Sequence, residues 1–322
     1  MGVYHLMGLG RSLGTVIGPL TYLAHHYQRW NREDQAFFAG AGEAAPRQAG
    51  QKAGDIQALV LFTTREILAG AVPSFDYVEN PPGRVAAAPL QKGGPMKEVL
   101  GSHLRREWPA ISGGRPEGIV FWCEVDRRDI HTTYTRVAQV VAALAGTGGQ
   151  GKEIWINLTG GNNVMNFALE LAAVLSGDVA RLYYVQAADG QAEKCLRFTA
   201  EDGYWVNLPI IPMGLEPLRQ AILELLTRAG PLHQGELYER LRGEYWDLSR
   251  GLDSVGTVRR DHLFPLWKAR IIQETEYGYV PGPQWTLIQP YLESLETAQE
   301  WKQTLEQLSE TETWIEREVI RT

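Results

Sequence analysis

Two short segments of the 322-residue sequence combine glycines with polar side chains in a way that suits anion binding. The first, MGLGRSLGTVIGP at 7–19, sets Arg11 and Ser12 among glycines, and the second, WINLTGGNNVMNFALELAAVL at 155–175, contains the run TGGNN. Each follows an apolar run and precedes a helical pattern, which predicts a strand-to-helix junction. Helix N-termini present unpaired N–H groups and a partial positive charge, and glycine lets the backbone approach a ligand closely. We therefore expect both segments to bind an anion such as a phosphate.

A nucleotide is one candidate for the ligand. Asn162 and Asn163 offer amide donors and acceptors able to contact a base edge or a ribose hydroxyl. Gly8, Gly10 and Gly14 resemble a dinucleotide-binding loop, but their spacing is one residue too long for G-x-G-x-x-G, and the second predicted strand ends in threonines rather than in an acid. Neither segment has the G-K-[ST] of a P-loop. Ordinary capped turns are the structural alternative for either segment taken alone.

The elements that would position both segments alternate between strand and helix over the first two-thirds of the chain. Short β-branched or aromatic runs predict strands buried on both faces at 3–9, 56–62, 118–125, 153–158 and 180–186. Helical patterns lie between them at about 15–29, 95–107, 131–145 and 163–176. This alternation predicts a doubly wound α/β sheet, in which the carboxyl ends of the strands share one edge and both segments lie at that edge.

Less regular segments interrupt and follow this pattern. The residues 194–200 and 204–209 flank the turn sequence EDG, and we expect them to form an antiparallel hairpin that extends the sheet. The segment 38–54 is rich in Gly, Ala and Gln, and the segment 72–94 is rich in Pro and Gly. Both compositions predict long loops.

The last third of the chain predicts a second module after a linker at 209–217. Three helical patterns are followed by two strand patterns, 272–280 and 284–290, on either side of Pro281-Gly282, which is the order of a winged helix-turn-helix. A charged helix with one apolar side is expected over about 289–320. The predicted domains are therefore 1–210, 211–290 and 291–322, the last being the terminal helix.

Three motifs of the sequence resemble CARF domains, the CRISPR-associated Rossmann-fold sensors. INLTGGNNVMNFALELAA resembles their strand–TGG–helix motif, HLMGLGRSLGTVIGPL is similar to their first glycine/serine loop, and CEVDRRDIHTTYTRVAQVV resembles the acid-containing segment before their third or fourth helix. The resemblance covers about 1–210, and a winged helix behind it matches a common CARF architecture. It implies a Rossmann-like fold, a homodimer, and a cyclic oligoadenylate as ligand, above all the four-membered ring made by type III CRISPR complexes.

The resemblance also implies which residues contact the ring and what becomes of it. Some CARF proteins of this architecture resemble metal-independent ring nucleases, in which a ribose 2′-OH attacks the adjacent phosphate. Arg11 and Ser12 would be the catalytic residues, Arg11 as a cation and Ser12 as a donor. Family members often have a basic residue just after TGG, whereas this chain has Asn162-Asn163, which supplies no charge. The implied ligand contacts are Gly10, Leu13, Gly14, Thr15, Thr159, Gly160, Gly161, Asn162 and Asn163.

A ligand-controlled transcription regulator without catalytic activity is the alternative. In the predicted winged helix, the side chains expected to face DNA are Ser254, Thr257, Arg259 and Arg260. The segment 215–289 has nine Lys and Arg against ten Asp and Glu, so its attraction to DNA phosphates would be weak. A module that serves only packing or dimerisation is the further alternative.

Composition narrows the class of protein and its location. The chain is 44% hydrophobic and 21% charged with a formal net charge of −7, so a polyanion would have to be held by a local site. No apolar run approaches the roughly 18 residues of a membrane-spanning helix, and we expect a cytoplasmic protein with no membrane partner. Cys123 and Cys195 lie in apolar runs without nearby ligands, so buried free thiols are expected, and neither a metal nor a cofactor is expected.

Overall fold

The structure is a computed structural model that describes residues 2–38, 54–79, 89–146, 152–187, 194–196, 203–210 and 216–321. The chain divides into two compact units. One unit combines Met1–Pro212 with Leu295–Thr322, and the other is Met213–Ser294. Most of the predicted loop 38–54 and the centre of the predicted loop 72–94 lie outside the described residues.

The strands confirm the predicted α/β class. In chain order they are β1 (Val3–Gly8), β2 (Ile56–Thr63), β3 (Glu117–Glu124), β4 (Glu153–Asn157), β5 (Val179–Ala187), β6 (Gly203–Leu208), β7 (Ile272–Thr275), β8 (Gly278–Pro281) and β9 (Ile315–Arg321). The first unit contains a mostly parallel sheet of seven described strands in the order β6-β5-β4-β1-β2-β3-β9. Strands β1 to β5 pair in parallel, and every residue of β1 is buried, as expected for the central strand.

The order of the strands creates a switch point beside β1. The chain runs outward from β1 through β2 to β3, and then returns to the other side of β1 to form β4 and β5. Connections therefore leave the carboxyl ends of β1 and β4 in opposite directions. A crevice between two such connections is the usual ligand site of an open α/β sheet.

Helices cover both faces of this sheet. In chain order the helices are α1 (Gly14–Arg29), α2 (Arg32–Phe37), α3 (Arg65–Leu68), α4 (Met96–Ile111), α5 (Ile130–Ala145), α6 (Asn163–Ser176), α7 (Pro217–Ala229), α8 (Gln234–Glu244), α9 (Trp246–Ser249), α10 (Val255–Thr257), α11 (Phe264–Lys268), α12 (Pro283–Trp301) and α13 (Leu305–Thr311). Helix α1 packs against α4, and α5 packs against α6. Right-handed crossovers put these two pairs on opposite faces of the sheet, which is consistent with a Rossmann-like fold.

The predicted terminal helix is wrong beyond residue 311. Helix α12 ends at Trp301, and Thr304 caps the short helix α13 by accepting a hydrogen bond from the Gln307 N–H. The chain then forms β9, which pairs antiparallel with β3. Ile315 and Ile320, which alternation places on opposite faces of the strand, are buried, while most residues between them are exposed. The charged terminal segment thus completes the sheet edge instead of forming a helix.

One strand of the predicted hairpin before residue 210 is present, and most of the other lies outside the described residues. Strand β6 does extend the sheet in the antiparallel sense, but its partner is β5, with Leu182 opposite Leu208. The short stretch 194–196 instead flanks Val78, which donates to the Lys194 carbonyl and accepts from the Leu196 N–H. The remaining residues of the predicted first strand lie outside the described part of the chain. Pairing with the open edge of β5 satisfies more backbone groups than a short isolated hairpin would.

The second unit has three helical segments followed by a two-stranded hairpin, but the predicted boundaries of the hairpin are wrong. Strands β7 and β8 turn at Glu276-Tyr277, and the predicted second strand 284–290 belongs to helix α12. Gly278 has a φ of +119°, a conformation that glycine adopts readily, so the turn falls before it rather than at Pro281-Gly282. The apolar core of the unit includes residues of α7, α8, α11 and the hairpin.

Helical backbone continues through a proline in this unit. Residues 258–263 form a π-helical turn between α10 and α11. Pro265 has no N–H, so the Asp261 carbonyl four residues earlier cannot make its α-helical hydrogen bond. That oxygen accepts a hydrogen bond from the Arg219 side chain at 3.2 Å.

Candidate anion-binding site

The two glycine-rich segments meet at the switch point, as loops that follow β1 and β4. A Cβ atom on Gly160 would lie 2.3 Å from the Gly8 carbonyl oxygen and 2.7 Å from the Thr15 hydroxyl. Gly161 has a φ of +84° and lies against the Gly8 backbone. Both glycines therefore have a packing role that the sequence did not indicate: they let the second loop touch the first.

The polar residues of the second loop are largely engaged within the protein. The Asn162 side chain accepts the Met165 N–H at 3.0 Å and caps α6. The Thr159 hydroxyl accepts the Val185 N–H at 2.8 Å, and the Thr159 N–H donates to Asn157. Asn163, the first residue of α6, is exposed. In this loop the amide nitrogen of Asn162 and the side chain of Asn163 are the best placed to contact a ligand.

The first loop holds Arg11 in a defined position. Its Nε donates to the Pro73 carbonyl at 2.9 Å, and its guanidinium carbon lies 4.3 Å from the centre of the Phe75 ring. The Phe75 N–H donates to the Arg11 carbonyl at 2.8 Å. Arg11 itself remains exposed. The guanidinium is thus anchored on one side and open on the other.

The N-terminus of α1 is the second anion-attracting feature of the first loop. Among the described residues no side chain caps it: Leu13 occupies the cap position, and the Thr15 hydroxyl donates backwards to the Ser12 carbonyl at 2.8 Å. The first-turn N–H groups, starting at Gly14, keep their partial positive charge. Ser12 is half-buried beside them.

These features surround a cavity of about 740 Å³. Its walls come from the first loop, from the segment 73–77, from Gly93 and from Lys194. Lys194 adds a second cation, and Asp76 adds one carboxylate that accepts the Gly93 N–H at 2.8 Å. Four predicted site residues line this cavity, namely Arg11, Ser12, Leu13 and Gly14.

The remaining predicted residues, including all those of the second loop, do not line this cavity. Gly10 lies near the second loop, since a Cβ there would be 3.6 Å from the Gly161 carbonyl. Thr15 and Gly160 are in contact, so the second loop braces the first. No pattern in the sequence indicates the cavity wall formed by the segment 73–77 and Lys194, because 73–77 lies in a predicted loop and Lys194 begins a predicted hairpin strand without a site motif.

A second, arginine-lined cavity of about 370 Å³ lies at the same sheet edge, after β2 and β3. Its lining includes three acids, Glu66, Glu124 and Asp126. It also includes four arginines, namely Arg65, Arg127, Arg128 and Arg136. Hydrogen bonds from its own backbone N–H and from Thr64, together with the charges of Arg127 and Arg128, hold the pKa of Glu66 below its usual value. Arg136 donates to the Glu124 carbonyl at 2.5 Å. The sequence shows the two consecutive arginines after β3, but only the fold shows that they lie beside Arg65 in one cavity.

Other titratable groups of the first unit have structural roles. His5 is fully buried, with Nδ1 2.8 Å from the Tyr183 hydroxyl, and burial lowers the pKa of His5 to about 3. Asp129 caps α5 by accepting the His131 N–H at 2.9 Å. Cys123 and Cys195 are buried and belong to no disulfide, as predicted, and burial raises the pKa of Cys123. Among the described residues, no group of three or more His, Cys, Asp or Glu is arranged to hold a metal ion.

The predicted DNA-contacting residues of the second unit already have partners. Ser254 caps the third helical segment by accepting the Thr257 N–H at 3.2 Å, and its hydroxyl also lies 3.2 Å from that of Thr257. Arg260 makes two hydrogen bonds to Asp261, at 2.6 and 2.7 Å, and these lower the pKa of Asp261. Arg259 lies close enough to the Tyr279 hydroxyl to counteract the rise in its pKa caused by burial. The ion pair of Arg260 with Asp261 reduces the positive charge that the segment offers to a phosphate.

Comparison with known proteins yields one distant relative and no family. No family model matches the chain. An uncharacterized protein of Archaeoglobus fulgidus is 24% identical over 232 residues, which is 71% of this chain and 67% of the relative. In the described part of the chain, no helix is both long and apolar enough to cross a bilayer.

Proposed function

We propose that the protein is a CARF-type sensor of type III CRISPR defence that binds cyclic oligoadenylate, specifically cyclic tetra-adenylate, in the cytoplasm. The observation that supports this most directly is the pair of glycine loops that touch at Gly8 and Gly160, on either side of the switch point. Beside them, Arg11, Lys194 and the uncapped N-terminus of α1 face one cavity. Cations and free N–H groups in a concave site at this edge suit a phosphate-bearing ligand.

The proposal includes a homodimer. A cyclic tetra-adenylate carries four phosphates, and one copy of the cavity offers two cations against the carboxylate of Asp76. A two-fold axis would present each loop twice to a symmetric ring. The arginines at 127 and 128, at the same sheet edge, would add positive charge along the path of the ring.

We further propose slow, metal-independent cleavage of the ring. The ribose 2′-oxygen forms a bond to the adjacent phosphorus, the bond from phosphorus to the 5′-oxygen breaks, and the 2′-OH proton ends on the 5′-oxygen. The products carry a 2′,3′-cyclic phosphate and a 5′-OH. Arg11 would stabilise the extra negative charge at phosphorus, and Ser12 would hydrogen-bond to the phosphate. Asn162-Asn163 supplies no cation at the opposite loop, which is the reason to expect a low rate.

Incubation of the protein with radiolabelled cyclic tetra- and hexa-adenylate in EDTA tests both parts of the proposal. We expect linear products that end in a 2′,3′-cyclic phosphate, formed faster from the four-membered ring. Binding without product would leave a sensor that does not cleave. The absence of binding to either ring at micromolar protein would refute the assignment, and binding of a dinucleotide such as NAD instead would favour the dinucleotide interpretation.

A ligand-controlled regulator is the second candidate function. The observation in its favour is the order of the second unit, three helical segments and then a hairpin, which is the order of a winged helix. Its weakness is electrostatic, since the segment 215–289 has nine basic and ten acidic residues and Arg260 is paired with Asp261. A mobility-shift assay on a promoter fragment tests it: a ligand-dependent shift that is lost in the Arg259→Ala/Arg260→Ala variant would establish regulation.

A further inference from the structure

One aromatic side chain in the wall of the 740 Å³ cavity is largely exposed. Phe75 is 54% exposed although it lies within the cavity wall. One partner of its ring is the Arg11 guanidinium, whose carbon is 4.3 Å from the ring centre. An exposed aromatic ring thus lies beside two cations in the wall of one cavity.

The backbone around Phe75 is held on both sides. The Ser74 N–H donates to the Gly94 carbonyl at 2.8 Å, and Tyr77 and Gln91 exchange two backbone hydrogen bonds of 3.0 and 2.7 Å. The next residue, Val78, joins the stretch 194–196. The exposure of Phe75 is therefore a property of a well-anchored segment and not of a loose loop end.

The same anchoring sets the position of Lys194. The Val78 N–H donates to the Lys194 carbonyl at 3.0 Å, and the Lys194 side chain lines the cavity that Phe75 and Arg11 border. A planar ring, a planar guanidinium and an ammonium group thus share one cavity. This is the set of groups that binds a nucleotide: bases stack on aromatic rings and on arginine planes, and lysine attracts the phosphate.

We propose that Phe75 and Arg11 form a stacking platform for a nucleobase, and that Lys194 binds a phosphate attached to the same nucleotide. Stacking accepts any base, so the class of ligand assigned to this subsite is a nucleoside phosphate. Under the proposed function, on which the identity of the base rests, it is an adenylate unit of the ring. Phe75 thereby adds an aromatic ring to the site, which none of the predicted glycine-loop residues supplies.

Calorimetric titrations of the full-length protein test the platform. The variants are Phe75→Ala, Phe75→Leu, Phe75→Trp and Lys194→Ala, with Tyr204→Ala as control because Tyr204 is 64% exposed on β6, away from the cavity. The probes are cyclic tetra-adenylate, AMP and ribose 5-phosphate. We expect Phe75→Ala to weaken both adenylates by about tenfold to a hundredfold, in line with the usual contribution of base stacking. Phe75→Trp should bind as wild type does.

Ribose 5-phosphate separates the two parts of the subsite. Its affinity should be unchanged by Phe75→Ala and lowered by Lys194→Ala, because it has a phosphate and no base. Wild-type affinity of Phe75→Ala for both adenylates would overturn the platform, and so would full binding by Phe75→Leu, since leucine can support Arg11 but cannot stack on a base.

The outcome also distinguishes the platform from the proposed function. If wild type binds cyclic tetra-adenylate and Phe75→Ala binds it equally well, the function stands and the platform falls. If wild type binds AMP in a Phe75-dependent manner but no cyclic oligoadenylate, the platform stands and the proposed function falls. If wild type binds none of the three probes, both are refuted.

Discussion

Gly160 packs directly on Gly8, close enough that a Cβ atom on Gly160 would lie 2.3 Å from the Gly8 carbonyl oxygen. The contact joins the two loops that leave the sheet on either side of the switch point. A glycine at 160 is therefore required first by packing, and any ligand contact of the second loop depends on that packing. The structure thus gives the TGG sequence a role in loop-to-loop contact.

Gly160→Ala is expected to destabilise the first unit by about 1–3 kcal/mol, because a methyl group would force the loops apart. Urea unfolding followed by circular dichroism measures the change. Gly235→Ala is the matched control, since a Cβ there would meet nothing within 4 Å. Equal midpoints for Gly160→Ala and wild type would show that the loops can separate without cost.

Ser12→Ala is expected to lower ring cleavage by about 10²–10³, the usual effect of removing one hydrogen bond to the developing charge. The reason is its place in the cavity beside Arg11 and the N-terminus of α1. Product formation from cyclic tetra-adenylate is the measurement. Arg259→Ala/Arg260→Ala serves as control because both residues lie in the other unit, and cleavage that responds to this pair but not to Ser12→Ala would contradict the assignment.

Asn163→Lys is expected to accelerate cleavage by about tenfold or more, because it restores a cation at the second loop. Asn163 is exposed at the start of α6, whereas Asn162 is occupied as the helix cap, so residue 163 is the one free to change. Asn163→Gln, of similar length and neutral, is the control. A rate that does not rise with lysine would mean that the second loop does not face the reacting phosphate.

His5 should make stability fall in mild acid. Burial lowers its pKa from the ordinary histidine value of 6.5 to about 3 in the folded protein, so below pH 6.5 the unfolded chain binds a proton that the folded chain rejects. Stability is then lost as pH falls from 6.5 towards 3, and by pH 5 the loss from this group is about 2 kcal/mol. Unfolding at pH 7 and pH 5, followed by tryptophan fluorescence, should show a smaller acid loss in His5→Gln. His131→Gln, at an exposed position, should behave as wild type, and parallel losses in all three proteins would contradict the prediction.

Phe167→Glu is expected to convert the proposed homodimer into a monomer. Phe167 is 56% exposed on α6, and Glu170 is the one acidic or basic residue between Asn163 and Ser176. A helix with so little charge is typically covered, and α6 begins at the loop that two copies would share around one ring. Sedimentation velocity measures the state, with Tyr204→Glu as control. A dimer that survives Phe167→Glu would place the interface on another surface.

The sequence by itself determined the elements and the two junctions that matter most. Short apolar runs between helical patterns identified β1 to β5, and the predicted helix 163–176 coincides with α6. Glycines after β1 and β4 marked both loops of the candidate site. All of these depend on local physics: the period of the side chains and the backbone freedom of glycine.

The tertiary structure alone decided which distant segments share the site and the sheet. Phe75 and Lys194 join Arg11 across 64 and 183 residues of chain, by contacts whose partners no local pattern specifies. Strand β9 has a charged sequence that also suits a helix, and it becomes a strand because β3 offers it an open edge of N–H and C=O groups. The spacing of apolar residues in a segment shows only which of its side chains are buried. Which other segment covers them depends on the order of the strands and on which edges and loop faces remain unpaired once the sheet has formed.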